Sequence, residues 1–140
     1  MLETLIFVAG FGQLVLVVCS LAIPKVLNWA EETSKLRPLT RQVFWTYAGY
    51  IWVTNLSFAL ISMISPSSLT DKSFLAVAVT IYIVAYWLAR VIIQFTWFDR
   101  SDTPKGLRYL VAEALLVGLF VGLTLVYGWA VLENLAGAAV

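Results

Sequence analysis

Hydrophobic residues follow one another in four long runs that short polar segments separate. The runs cover about residues 4–23, 43–64, 73–98 and 107–132. Each is near or above the roughly 20 residues that a helix needs to cross a bilayer. The pattern therefore predicts an all-α integral membrane protein. We expect a four-helix bundle that forms one domain over residues 1–140.

The first run could be mistaken for a signal peptide. It carries the acidic Glu3 where a signal peptide has a basic region, and its basic residues follow the run. A clear A-x-A cleavage site is also missing, so we expect this run to be retained as the first helix. Pro24 is predicted to end it.

The polar segments between the runs differ in length. SPSSLTDKS (65–73) and DRSDTPKG (99–106) are short and rich in turn residues, and Thr103 followed by Pro104 is typical of a helix start. The segment 25–42 is longer and mixes apolar residues with charges. The sequence leaves two structures open for it: a short amphipathic helix on the membrane surface, or a solvated loop.

Composition agrees with a membrane protein and narrows the chemistry. Hydrophobic residues make up 61% of the 140 residues and charged residues only 12%, whereas a soluble domain has about a quarter charged. The net charge of +1 gives no reason to expect nucleic-acid binding. Histidine is absent and Cys19 is the single cysteine. We therefore expect no cofactor and no metal, and Asp99 and Asp102 form too weak a pattern to change that expectation.

Basic residues predict how the chain is oriented in the membrane. With four spans, the first and third connections lie on one side, and seven basic residues fall in or beside them: Lys25, Lys35, Arg37, Arg41, Arg100, Lys105 and Arg108. The other side has only Lys72. Under the positive-inside rule, the segments 25–42 and 99–108 are predicted to be cytoplasmic and both termini to be outside.

Polar residues are predicted to gather on one side of each span. In the third run, Thr80, Trp87, Arg90 and Gln94 recur at helical spacing. The other runs supply further stripes, whose polar members include Gln13 in the first, Tyr47, Tyr50 and Thr54 in the second, and Glu113 in the fourth. Because polar groups that face lipid are costly, we expect these stripes to face each other inside the bundle.

Arg90 and Glu113 are the opposite charges within the spans. A direct ion pair is one possibility, but side chains lean toward the N-terminus of their helix, which tilts these two apart in antiparallel helices. Gln94 is predicted to be the easier partner for Glu113. The guanidinium of Arg90 would then donate hydrogen bonds to Gln13, Tyr50, Thr54 or water. An arginine inside a span is by default a candidate functional residue, and the competing interpretation is a structural pair that fixes helix packing.

Small residues form a ridge on the fourth span. GLFVG (118–122) is a GxxxG motif, and Ala114 extends the ridge from Gly118 and Gly122 by one turn. Such ridges allow helices to approach closely. The neighbour is either another span of the same bundle, which we favour slightly, or another copy of the chain.

Two functions fit these features, and neither is enzymatic, because the sequence offers no nucleophile with a base and no phosphate-binding loop. The first is a homo-oligomeric channel or transporter with a polar layer around Arg90 and Glu113. The alternative is a non-catalytic accessory or structural subunit of a membrane complex, in which that layer holds helices together. A hydrated layer would favour transport, and a dry, fully paired layer the structural role. RQVFWTYAGYIW (41–52) and TLVYGWA (124–130) resemble bacterial sequences, so we expect a bacterial inner membrane.

The orientation is testable by cysteine labelling. In a Cys19→Ala background, a cysteine introduced at Ser68 should react with a membrane-impermeant thiol reagent in intact cells. A cysteine at Ser34 should react only after the cells are made permeable, because the basic segment 25–42 is predicted to face the cytoplasm. The reverse labelling pattern would show that the predicted orientation is wrong.

Overall fold

The computed structural model describes residues 1–98 and 106–138, and every regular element in these ranges is helical. The helices are Leu2–Ser20 (α1), Ile23–Val26 (α2), Trp29–Ser34 (α3), Pro38–Ile64 (α4), Phe74–Thr96 (α5) and Leu107–Ala138 (α6), with a 3-10 turn at Pro66–Leu69. Four candidate spans are long and apolar enough to cross a membrane. The first consists of α1 together with α2, and the other three are α4, α5 and α6. The prediction of an all-α membrane protein with four spanning helices is confirmed at this level.

Helix ends differ in places from the apolar runs. Helix α4 begins at Pro38, before its apolar run, because proline is well tolerated in the first turn, where its missing N–H has no helical partner. Helix α1 ends at Ser20. Pro24 does not close it but lies in the first turn of α2, for the same reason. Helix α6 continues to Ala138, beyond the predicted end of its run.

The first connection is helical, which favours the amphipathic helix over the solvated loop. Asn28 separates α2 from α3 in the left-handed conformation, at φ 49°, which asparagine tolerates better than most residues. The Trp29 ring packs edge-on against Phe44 at 4.9 Å and Trp45 at 5.9 Å between ring centroids. These contacts hold α3 against the start of α4. The predicted helix start at Thr103 and Pro104 lies outside the described residues.

The spans pack as two antiparallel pairs. Helix α1 lies along α4, where the Trp52 indole N–H donates to the Val17 carbonyl oxygen at 3.2 Å. Helix α5 lies along α6, and α1 joins the pairs by also contacting α6. Both termini and the Pro66–Leu69 turn therefore share one end of the bundle, which we call the terminal end. Helices α2 and α3 and the start of α6 lie at the other, which we call the basic end.

A buried asparagine fastens the terminal end. The Asn134 side chain is 0% exposed. Its Nδ2 donates to the Leu69 carbonyl oxygen at 2.9 Å, and its Oδ1 accepts from the Lys72 backbone N–H at 3.1 Å. These bonds tie the connection between α4 and α5 to α6. They also satisfy backbone groups that would be costly to leave unpaired near lipid.

Burial is uneven along the bundle. Fully buried core residues such as Ile6, Ile83 and Ala130 lie from the terminal end to the middle of the spans. None of the described residues in α4 before Phe58, in α5 after Trp87 or in α6 before Phe120 is buried. The tightly packed parts of α4, α5 and α6 therefore lie toward the terminal end, while α1 keeps Val17 buried close to the basic end.

Gly10 sets the closest approach of α1 to α4. A Cβ atom at this position would lie 2.8 Å from the Ser62 Cβ, 2.9 Å from the Met63 Cγ and 3.1 Å from the Ala59 carbonyl oxygen. Only glycine leaves room for the two backbones at this distance. Close approach at small residues is a typical way for helices to associate in lipid.

Gly10→Ala should lower the stability of the bundle by about 1–3 kcal/mol, the usual cost of overpacking a tight contact. Gly128→Ala is the matched control, since a Cβ there meets nothing within 4 Å. The control should be neutral or slightly stabilising, because alanine favours helix by about 1 kcal/mol over glycine. Thermal unfolding in detergent would compare the two, and equal midpoints would contradict the close approach.

Candidate functional site

One polar layer joins all four spans at the middle of the bundle. It consists of Gln13 from α1, Ser62 from α4, Trp87 from α5 and Tyr127 from α6, and we call it the Gln13 layer. Gln13, Ser62 and Tyr127 are 0% exposed and Trp87 is 1% exposed. Every span therefore contributes one polar group to a site that neither lipid nor water reaches in this conformation.

A chain of hydrogen bonds links the side chains of the Gln13 layer. The Trp87 indole N–H donates to Gln13 Oε1 at 3.2 Å. Because indole is only a donor, its partner is the amide oxygen. Gln13 Nε2 then donates to the Tyr127 hydroxyl at 2.6 Å. The Tyr127 hydroxyl lies 2.5 Å from Ser62 Oγ, where either oxygen can be the donor.

Neighbouring groups hold the Gln13 layer in place. The Trp87 ring stacks on Phe120 of α6 at 5.4 Å between centroids, with 24° between the ring planes. Gln13 Nε2 also contacts the Ala9 carbonyl oxygen of its own helix at 3.4 Å. The amide is thus fixed both by its own helix and by partners on two others. A layer of this kind selects one mutual register for the four helices.

A second polar layer lies closer to the basic end and connects only two spans. It consists of Arg90 and Gln94 of α5 and Glu113 of α6, all of them partly exposed, and we call it the Arg90 layer. Arg90 Nη1 donates to Gln94 Oε1 at 3.2 Å. Gln94 Nε2 donates to Glu113 Oε1 at 3.4 Å. The prediction that Gln94 contacts Glu113 is confirmed by this bond.

Arg90 and Glu113 are connected through Gln94 and not by a direct ion pair. Among the described residues, a salt bridge with an N–O distance below 4 Å is formed by the exposed side chains of Lys35 and Glu32, and not by Arg90 and Glu113. The Arg90 guanidinium carbon instead lies 5.0 Å from the ring centroids of both Phe98 and Phe120, which places a cation between two aromatic faces. The expected partners Gln13, Tyr50 and Thr54 do not contact it by any hydrogen bond in the described part of the chain.

The predicted stripe of α4 does not face the interior, and for Tyr47 and Tyr50 that expectation is wrong. Tyr47 is 62% exposed and Tyr50 66% exposed, while Thr54 is only partly buried. Helix α4 turns Ala59 and Ser62 inward instead, because these small residues let it lie against Gly10 of α1.

The small-residue ridge of α6 also faces outward, contrary to the interior packing that we favoured slightly. Ala114 and Gly118 are exposed, and a Cβ at Gly118 or Gly122 would meet nothing within 4 Å. The interior side of α6 is taken by the larger Phe120 and Tyr127, which fill the space between the spans. The ridge is therefore left on the surface of the bundle.

Some site residues were not singled out from sequence. Trp87 lay on the predicted stripe of the third run, but the sequence did not indicate that its indole N–H bonds to Gln13. Tyr127, Ser62 and Asn134 were not among the predicted site residues, because their positions in the sequence do not show which partners they meet on other elements. Asn55 adds a buried side-chain Oδ1 that, among described residues, has no hydrogen-bond partner.

Comparisons with protein-family models, with curated proteins and with solved structures found no match for this chain.

Gln13→Leu should lower the thermal midpoint in detergent markedly, because it leaves the buried Trp87 N–H without an acceptor and removes one of the two side-chain hydrogen bonds of the Tyr127 hydroxyl. A buried group left unsatisfied costs about 1–3 kcal/mol. Ser57→Ala is a matched control, since Ser57 is exposed and donates to the Val53 carbonyl oxygen of its own helix. In the double variant of Gln13→Leu with Tyr127→Phe, the loss of stability should be smaller than the sum of the two single losses, because both changes break the bond between Gln13 and Tyr127. Additive losses, or a control as damaging as Gln13→Leu, would contradict the layer's role.

Proposed function

We propose that this protein is a non-catalytic accessory or structural subunit of a membrane complex. The observation that supports this most is the closed Gln13 layer, whose four side chains are at most 1% exposed and bonded to each other. A solute path through a single bundle would have to break this layer. The enclosed, paired Gln13 layer supports a helix-packing role, although the Arg90 layer of the same bundle is partly exposed.

The outer surface supports a role in assembly. The Ala114–Gly118–Gly122 ridge is a flat strip on the outside of α6, where a second helix could approach closely. On α4, a surface groove of about 190 Å³ is lined by Gln42, Val43, Thr46 and Tyr47. Both surfaces lie on helices long enough to span the membrane. The partner that we propose is another membrane-embedded chain, either a different subunit or a second copy.

A channel or transporter formed by several copies is the second candidate. It is favoured by the outward position of polar residues on α4, where Tyr47, Tyr50 and Ser57 are exposed and Thr54 partly so. In an oligomer these side chains would line a path between copies, in place of a path through one bundle. For either candidate we propose a bacterial inner membrane with the basic end in the cytoplasm, which the basic residues of the first and third connections support.

Proteoliposome flux separates the two candidates. Purified protein should give no ion or small-solute flux above that of empty vesicles, and Arg90→Ala should not change this result. Flux by the wild type that Tyr50→Ala alters would overturn the structural role and support a path along α4. Ser67→Ala, in the connection at the terminal end, is the control for non-specific leakage.

Assembly is measured in the same preparation by native mass spectrometry from nanodiscs. Gly122→Ile should reduce any copies or partner chains that remain bound, because it places a branched side chain on the outer ridge without a clash inside the bundle. If Gly122→Ile binds as many copies or partner chains as the wild type, the ridge on α6 is not an assembly surface.

A further inference from the structure

The side chain of Arg90 extends along α5 toward the basic end. Arg90 stands six residues before Thr96, where α5 ends. Its Nη1 donates to Gln94, one turn nearer that end, and its guanidinium carbon lies 5.0 Å from the ring of Phe98, beyond the end of the helix. The same carbon lies 5.0 Å from the ring of Phe120 on α6. Long basic side chains extend in this way toward the end of a span.

Among the described residues, the guanidinium uses little of its hydrogen-bonding capacity. Arginine has five N–H donors and can lose none of them by deprotonation. In the described part of the chain, Gln94 Oε1 is the one hydrogen-bond acceptor that Arg90 reaches. The rings of Phe98 and Phe120, whose centroids lie 5.0 Å from the guanidinium carbon, add cation–π contacts but no oxygen acceptor. The arginine fork matches a phosphate group.

The surroundings of Arg90 are those of a lipid contact. Exposed apolar side chains stand one and two turns from Arg90 on its side of α5: Ile93 is 41% exposed, and Trp97, just after the helix, is 82% exposed. Helix α6 adds Leu116, one turn from Glu113, which is 39% exposed. Apolar surface where acyl chains can lie is therefore present on the same sides of α5 and α6 as Arg90 and Glu113. A soluble phosphate ester would gain nothing from that surface.

We propose that Arg90 binds the phosphate of an anionic phospholipid at the basic end of the α5–α6 pair. The phosphate oxygens take the free N–H groups of the guanidinium, while Gln94 keeps the side chain extended through its own bond. Basic sites between spans on the cytoplasmic side are a known way of holding anionic headgroups. This binding site is independent of the proposed role in assembly, since it uses neither the α6 ridge nor the groove of α4.

The carboxylate of Glu113 should weaken the binding of a phosphate at Arg90. This carboxylate bonds to Gln94 Nε2, so a negative charge stands two hydrogen bonds from the guanidinium. A phosphate at Arg90 is repelled by that carboxylate across a short distance. Removing the charge of Glu113 should therefore strengthen lipid binding, whereas removing that of Arg90 should weaken it. A merely structural Arg90 layer predicts no such opposite response.

The experiment is native mass spectrometry of the intact protein released from nanodiscs of equal parts phosphatidylglycerol and phosphatidylcholine. The wild type should retain phosphatidylglycerol in preference. Arg90→Gln should lower that preference about tenfold, the effect expected when a hydrogen-bonded charge pair is lost. Glu113→Gln should raise it about two- to fivefold. Arg41→Gln is the control for general surface charge, since Arg41 is exposed in the first turns of α4, and should leave the preference unchanged.

Three results would overturn the proposal. The first is a wild type without preference for phosphatidylglycerol. The second is a loss in Arg41→Gln as large as in Arg90→Gln. The third is displacement of the lipid by millimolar glycerol phosphate, which would identify a soluble phosphate ester as the ligand. If Arg90→Gln does not fold, the gain in Glu113→Gln decides the matter, because that variant keeps an amide that can bond to Gln94. No gain in this variant would count against phosphate at Arg90.

Discussion

The amide of Gln13 is the interaction on which the arrangement of the four spans depends. Lipid chains offer no hydrogen-bond partners, so polar groups at this depth have to find them in each other. Gln13 receives the Trp87 N–H and donates to Tyr127, which in turn reaches Ser62. Sliding or rotating one helix would leave at least one of these groups unpaired. Apolar packing alone discriminates less between registers, because one hydrocarbon contact is much like another.

Charged and neutral polar side chains are buried to different extents in this bundle. The neutral Gln13 layer is fully enclosed, whereas the Arg90 layer is partly exposed. The difference follows from the cost of burying the groups: an amide or hydroxyl needs only a partner, while an ion needs partners and a polar medium as well. The neutral amide of Gln94 links Arg90 to Glu113 while all three side chains stay partly exposed.

The number of spans, their approximate limits and the contact of Gln94 with Glu113 could be predicted because length, apolar runs and helical spacing determine them. Which side of each helix faces inward could not. The stripe of Tyr47 and Tyr50 was a good polar face by spacing, yet α4 turns toward Gly10 through Ala59 and Ser62. In lipid both sides of a span are apolar, so the hydrophobic pattern that orients helices in soluble proteins is weak here. Small residues and single buried polar atoms decide the rotation, and their effect depends on partners far away in sequence.

The uneven burial places most contacts that resist separation of α4, α5 and α6 on the terminal side of the Gln13 layer. At the terminal end Asn134 and the enclosed core hold the helices, while the basic halves of α4, α5 and α6 contain no buried residue among those described. Local opening costs least where few contacts are lost. We therefore expect these three helices to open more easily at the basic end than at the terminal end.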